Sequence, residues 1–252
     1  MNRVVVIDLG NSDAKFGLFR GDELINVTRI PTADLRGIST PEELPRSLRE
    51  IIDGNPPVGL GSVVSWAGAR LAAILSSAGC EVHPLTSLSP FGLSIDYEWG
   101  EPGVDRTAAA AAAFQRSGGP LLLVGAGTAL HTNVVDAEGT YQGGAIMPGL
   151  RLMTQALGAG ADQLTVIEPV KPERVIGKST PECIEAGLYH CWIGGTLHLV
   201  RQTIEEMGGT PHVWLTGGQS RFLEPHLPDA RIDPHLTLHG LTMALNRELA
   251  VR

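Results

Sequence analysis

The chain has 252 residues, a net charge of −8 and 43% hydrophobic residues. That is enough for one large domain or two of ordinary size, each with a real core. The acidic balance, with no run of Lys or Arg, excludes nucleic-acid binding through an electrostatic footprint, and no apolar run approaches the roughly 20 residues of a membrane helix.

In chain order, Val4 to Ile7 form a continuous apolar run, which favours a strand buried on both faces. Asp8 ends it, Gly10 turns it, and Lys15 to Phe19 return. Gly10 lets a ligand approach the main chain, and Asn11 and Ser12 add donors on the turn. A carboxylate beside such a turn suits a metal–phosphate group; a plain hairpin with Asp8 capping the turn has the same letters. The opening Val4 strand leaves no room for a signal peptide. The odd set Cys80, Cys183 and Cys191, without CxxC spacing, is expected to stay reduced in a cytoplasm. Cys183 and Cys191, with His190 and His198, read as residues of one helix more readily than as a metal site.

Asp22 to Val27 read as another strand. Thr40, Pro41 and Glu43 spell a capping box that opens a helix to about Asp53. Gly61 to Ser65 then read as a strand, Ala69 to Ala78 as a helix, and Cys80 to Leu85 as a short strand. A hairpin followed by alternating β and α is an α/β pattern. Residues 87–102, with Phe91, Tyr97 and Trp99, read as a loop over a site. Gly103-Val104-Asp105-Arg106 lead into a helix rich in alanine, the best helix former. Asp105 at its start is either a cap or a general base beside an anion-binding Arg106.

The opening pattern then recurs: Leu121 to Val124, the turn Gly125-Ala126-Gly127-Thr128, and a return over Leu130 to Val135. The two units start about 117 residues apart, at Val4 and Leu121, as a duplication with a nucleotide cleft between halves would give. The halves are expected at 1–117 and 118–252. Thr140 to Gly144 return again, a helix runs from Leu150 to Leu157 and breaks at Gly158 to Gly160, and a long helix runs from Thr180 to Met207. Val213 to Thr216 lead into a third turn, Gly217-Gly218, and Gly240 to Leu249 form a last helix.

Three strand–glycine turns in this order resemble the acetate/sugar kinase–Hsp70–actin fold, an actin-like, ribonuclease H-like α/β architecture. The closer resemblance is to type III pantothenate kinases, along nearly the whole chain. It is carried by Asp8-Leu9-Gly10-Asn11-Ser12, Tyr97 with Gly103-Val104-Asp105-Arg106, and Gly127-Thr128-Ala129. Gly143 to Leu150, Gly177 to Thr180, Gly187 and Thr216-Gly217-Gly218 complete it. The resemblance implies a cytoplasmic homodimer that transfers the γ-phosphate of ATP to the primary hydroxyl of pantothenate, with no nucleic-acid or membrane partner. By the same resemblance, Asp8 holds Mg²⁺ through water, and Gly10, Asn11, Ser12, Lys15, Gly127 and Thr128 contact phosphates. Gly217 and Gly218 lie on the nucleoside side. Asp105 is the base, Gly103, Val104, Arg106 and Tyr97 hold pantothenate, and Thr180 reaches that pocket from a partner subunit.

The chain departs from the family at several positions. Gly125 stands for an Asp, which counts against a K⁺ or NH₄⁺ requirement. Leu130 and His131 stand for small hydroxyl residues, and Asn133 for an Asp. Trp99 and Ala161 to Thr165 also differ. These changes leave two alternatives beside the kinase: a non-catalytic nucleotide- or pantothenate-binding regulator, and a kinase for another small alcohol.

Overall fold

The structure is a computed structural model that describes residues 3–98, 100–161 and 164–251. Trp99, Asp162 and Gln163 lie outside the described residues. The elements in chain order are β1 (Arg3–Leu9), β2 (Asp13–Arg20), β3 (Glu23–Pro31), α1 (Arg46–Ile52), β4 (Val58–Ser62), α2 (Ser65–Ser77), β5 (Val82–Leu85), β6 (Ser94–Ile95) and α3 (Val104–Ser117). They continue with β7 (Leu121–Ala126), β8 (Ala129–Val135), β9 (Thr140–Gly143), β10 (Ile146–Pro148), α4 (Leu150–Gly160), α5 (Thr180–Met207), β11 (His212–Thr216), α6 (Ser220–Leu223), β12 (Arg231–Ile232) and α7 (Leu236–Ala250).

The chain folds as two compact units. The first comprises residues 1–116, 139–141 and 235–252; the second comprises 117–138 and 142–234. The last helix therefore packs with the first unit, whereas a single cut after residue 117 assigns it to the second half.

In the first unit the sheet order is β3-β2-β1-β4-β5. β1 pairs antiparallel with β2 and parallel with β4. Strand side chains alternate between faces, and β1 uses both. Val5, Ile7 and Leu9 join Leu48, Ile51, Leu71 and Leu75 of α1 and α2 on one face. Val4 and Val6 join Val104, Ala108 and Ala111 of α3 and Leu238, Leu241 and Leu245 of α7 on the other. Asp8 has the parity of Val4 and Val6, so the chain's own alternation assigns it to the face that α3 covers.

The alanines of α3 serve packing as well as propensity. Ala108 to Ala113 are all buried, and a Cβ at Gly240 of α7 would collide with the Ala108 carbonyl. Small residues on both helices let their backbones approach closely.

In the second unit, β11 lies parallel to β7 and β12 parallel to β11, while β8 is antiparallel to β7 and carries β10. Leu122, Val124 and Ala126 of β7 pack with Tyr189, Trp192, Ile193 and Val200 of α5. Gly125 has the opposite parity and turns to the other face.

Three local expectations need correction. The segment after Thr40 is not one helix: Pro41–Glu43 form a 3-10 turn and α1 starts only at Arg46. Pro45 is the cause, since it holds the preceding residue out of helical angles, and Leu44 is extended at φ −61°, ψ 141°. The Glu43 carboxylate still accepts from the Thr40 N–H at 3.2 Å. Second, α4 runs through Gly158 to Gly160, because glycine weakens a helix by only about 1 kcal/mol relative to alanine. Third, the last helix begins four residues before Gly240.

The close approach of α7 and α3 gives a stability prediction. Gly240→Ala should destabilise the protein by roughly 1–3 kcal/mol, the usual cost of overpacking, read as a lower midpoint in urea at unchanged slope. A midpoint equal to wild type would mean that the helices separate freely.

Candidate functional site

The expected site residues of the first unit gather where β1 ends and α3 begins. Asp8 and Lys15 are direct cross-strand partners, and the Lys15 ammonium donates to Asp8 Oδ2 at 3.3 Å. The hairpin turn between them is fixed by the Gly10 N–H donating to the Asp13 carbonyl at 3.0 Å and the Thr32 hydroxyl donating to the Gly10 carbonyl at 2.7 Å. Asn11 and Ser12 sit exposed at its tip.

Asp105 stands in the first turn of α3. The Gly103 carbonyl accepts from the Arg106 and Thr107 N–H groups at 3.0 and 3.1 Å, which starts the helix. Glycine at 103 also makes room for the carboxylate, because a Cβ there would lie 2.5 Å from Asp105 Oδ1. Val104 packs into the core beside α7, so its side chain does not face a ligand. Only its backbone remains for that role.

Burial pushes the Asp8 carboxyl above its ordinary value, Lys15 opposes this, and the charge of Asp105 adds to the rise. Burial likewise raises Asp105; the Arg106 N–H and guanidinium and the Lys15 charge act against it. For both acids burial outweighs the nearby cations and raises the carboxyl above its ordinary value.

Tyr97 is 39% exposed, and its ring lies 6.4 Å from that of Tyr141. The Arg106 guanidinium lies 5.9 Å from the centre of the Tyr141 ring. Tyr141 is fully buried, which pushes its hydroxyl up to about 12, with Arg106 opposing. Sequence reasoning missed Tyr141. It lies in a short strand after the second hairpin, yet residues 139–141 join the first unit, where β6 pairs with Thr140 and Tyr141. The loop that carries Tyr97 is tied by the Ser87 hydroxyl donating to Glu101 at 2.6 Å.

In the second unit the second and third glycine turns lie together. Gly127 and Thr128 join β7 to β8. The Gly149 N–H donates to the Thr128 carbonyl at 3.0 Å, and a Cβ at Gly149 would collide with the Gly127 and Thr128 carbonyls. Gly217 has φ +88°, and a Cβ there would lie 2.5 Å from the Ala126 carbonyl. Gly218 is exposed beside it. Gln219, another residue missed from sequence, links the turns: its N–H donates to Ala126 at 3.0 Å and its side-chain oxygen accepts from the Leu150 N–H at 3.1 Å. The clue was a polar side chain directly after a strand–Gly-Gly turn. Thr180 is exposed in the first turn of α5, which Ser179 caps by accepting from the Glu182 N–H.

The chain resembles MreB 5 of Spiroplasma citri, solved bound to AMPPNP, with a TM-score of 0.51 at 9% identity, covering 100% of this chain and 99% of that one. It resembles a Campylobacter jejuni protein named for the Baf family of transcriptional activators with a TM-score of 0.62 at 17% identity, covering 98% and 99%. Likeness at such identities is likeness of fold, and the fold is that of the actin-like ATPases. Sequence narrows it further. The family model of type III pantothenate kinase matches residues 4–202. The type III pantothenate kinase of Parafrankia sp. is 34% identical over 263 residues, covering 99% of this chain and 100% of its own. The chain belongs to the type III pantothenate kinase family.

The acid pair links activity to stability. A carboxyl whose folded pKa lies above the ordinary 3.8 binds its proton more tightly when folded. Stability is then lost as pH rises through that window. Asp105→Asn should therefore raise Tm above wild type at neutral pH, and the gain should shrink as both are taken to about pH 4. A Tm lowered at neutral pH would mean that ionised Asp105 stabilises the fold.

Proposed function

We propose that the protein phosphorylates the primary hydroxyl of pantothenate with ATP, giving 4′-phosphopantothenate, the first step of coenzyme A biosynthesis. The observation that carries this reading is the gathering of Asp8, Lys15, Asp105 and Arg106 at the end of β1 in a member of this family. Asp105 takes the proton as the hydroxyl oxygen bonds to the γ-phosphorus. The bond from that phosphorus to the bridging oxygen breaks, and ADP leaves. A positioned base contributes typically about 10²–10⁴-fold, and the rest is positioning and charge neutralisation.

Asp8 fits a cation. It is a buried carboxylate whose ionised form is under-compensated by the single ammonium at 3.3 Å, so added positive charge favours it. Asp8 would hold Mg²⁺ through water, and the ion supplies charge neutralisation on the phosphates when bound. Gly10, Asn11, Ser12 and Lys15 offer donors to phosphate, as do Gly127 and Thr128, with Gly217 and Gly218 toward the nucleoside. Arg106 and Tyr97 hold pantothenate, and Gly103 and Val104 border it.

The working form in this reading is a cytoplasmic homodimer in which Thr180 completes the partner's pocket. Val166, Val170, Val175 and Ile176 are all exposed in the segment before Thr180, which leaves apolar side chains there for a partner subunit to cover. Among the described residues no helix is long and apolar enough to cross a membrane.

The test is ADP release with ATP, Mg²⁺ and pantothenate. Turnover is expected, and Asp105→Asn should abolish it while ATP still binds. The acid limb of kcat/KM should fall above the ordinary carboxylate range, because the base must be ionised and its pKa is raised. ATP binding without turnover would favour the non-catalytic regulator, and turnover only with other alcohols would favour the altered-substrate kinase. The dimer makes a separate prediction: Asp105→Asn and Thr180→Arg subunits, each inactive alone, should regain activity when co-expressed. No recovery would remove Thr180 from the shared pocket.

A further inference from the structure

The departures at Gly125, His131 and Asn133 lie on the hairpin of the second glycine turn. Gly125 and His131 are direct cross-strand partners on β7 and β8. A Cβ built on Gly125 would collide with Cε1 and Nε2 of the His131 ring. The imidazole therefore occupies the space into which any side chain at 125 would grow. It is held there from the other side: the Asn133 amide nitrogen lies 2.8 Å from His131 Nδ1. His131 and Asn133 are two apart on one strand and so share its face. The Asn133 amide thus pins the ring on the side away from the Cε1–Nε2 edge that is turned to Gly125. Asn133 itself is fully buried.

The charge balance of this hairpin follows. From Leu121 to Val135 there is no Asp or Glu. A bound K⁺ or NH₄⁺ is held by oxygen ligands, and a carboxylate among them adds the attraction of its charge. Here the two positions that would supply carboxylates hold a glycine under a ring and an amide facing that ring. The monovalent cation that the family resemblance implied does not fit these residues.

We infer that His131 has taken over the place of the side chain at 125, so that an imidazole fixed by Asn133 stands where a carboxylate–cation pair would lie beside the Gly127-Thr128 turn. Nucleotide binding by this protein is consequently independent of K⁺ and NH₄⁺. His131 is a positioning residue for the phosphate turn. The inference rests on the proposed reading that this turn takes ATP phosphates.

The experiment measures ATP binding by calorimetry, in the presence of Mg²⁺, and ADP release with pantothenate, in KCl, NH₄Cl and choline chloride. With ionic strength held equal, so that screening is constant, wild-type affinity should agree across the three salts within about twofold. His131→Ala should weaken ATP binding by about tenfold in every salt, the size of one lost hydrogen bond, with unchanged circular dichroism. The steric half is read without any ligand. Gly125→Asp should lower Tm, His131→Thr should relieve that loss in the double variant, and the coupling should be non-additive. The triple variant Gly125→Asp, His131→Thr, Asn133→Asp should bind ATP more tightly in KCl than in choline chloride.

Wild-type affinity that rises about tenfold or more from choline to potassium would overturn the inference, as would strictly additive Tm effects. Salt-independent ATP binding without pantothenate turnover would overturn the proposed function and leave this inference standing. No ATP binding in any salt would overturn both.

Discussion

A carboxylate at the end of a strand buried on both faces is largely withdrawn from water, and that constraint organises the first unit. β1 is lined by apolar side chains toward α1 and α2 and toward α3 and α7, so Asp8 inherits the desolvation of its strand. Its compensation must come from neighbours fixed by the same fold. The antiparallel register supplies Lys15 directly opposite, and strand alternation turns Asp8 toward the helix that starts with Asp105 and Arg106. The chemistry at this point follows from the packing: a one-residue slip of β1 against β2 would send Asp8 to the other face and separate it from both.

The placement of Asp105 depends in turn on the end of the chain. α7 returns to cover β1 beside α3, and Gly240 against Ala108 lets it lie close. Leu238, Leu241 and Leu245 fill the space under the first turns of α3 together with Val104. The core residue Val104 and the acid Asp105 are adjacent, so one anchors the helix start while the other stays half-exposed at it. This division explains why a motif of four consecutive residues mixes a fully buried side chain with reactive ones.

Much of this was legible in the sequence where the signal is local. The Val4 to Ile7 run, the glycine turns and α5 from Thr180 to Met207 all declare themselves through periodicity and punctuation. The exceptions have physical causes. Pro45 stops a helix that the Thr40–Glu43 box appeared to open. Gly158 to Gly160 stay helical because the cost of glycine is small against packing. Tyr141 and Gln219 were missed because what matters about them is contact across long stretches of chain: Tyr141 with Arg106, and Gln219 with Leu150. His131 was noticed as an unusual residue, yet only the register shows that its ring and Gly125 are two halves of one exchange of volume.

That exchange fits a wider balance of charge. Each buried carboxylate with a raised pKa costs stability at neutral pH, because the fold favours its protonated form. The first unit carries two, Asp8 and Asp105, and the proposed chemistry needs both, one to attract a cation and one to accept a proton. At the hairpin of the second unit no proton transfer is asked for, and the group there has only to hold its place. A ring locked by an amide does this without a desolvated anion and without a counter-cation to offset it. A glycine is then the residue that fits beneath the ring, so the loss of an acid at 125 and the gain of an imidazole at 131 are one structural change.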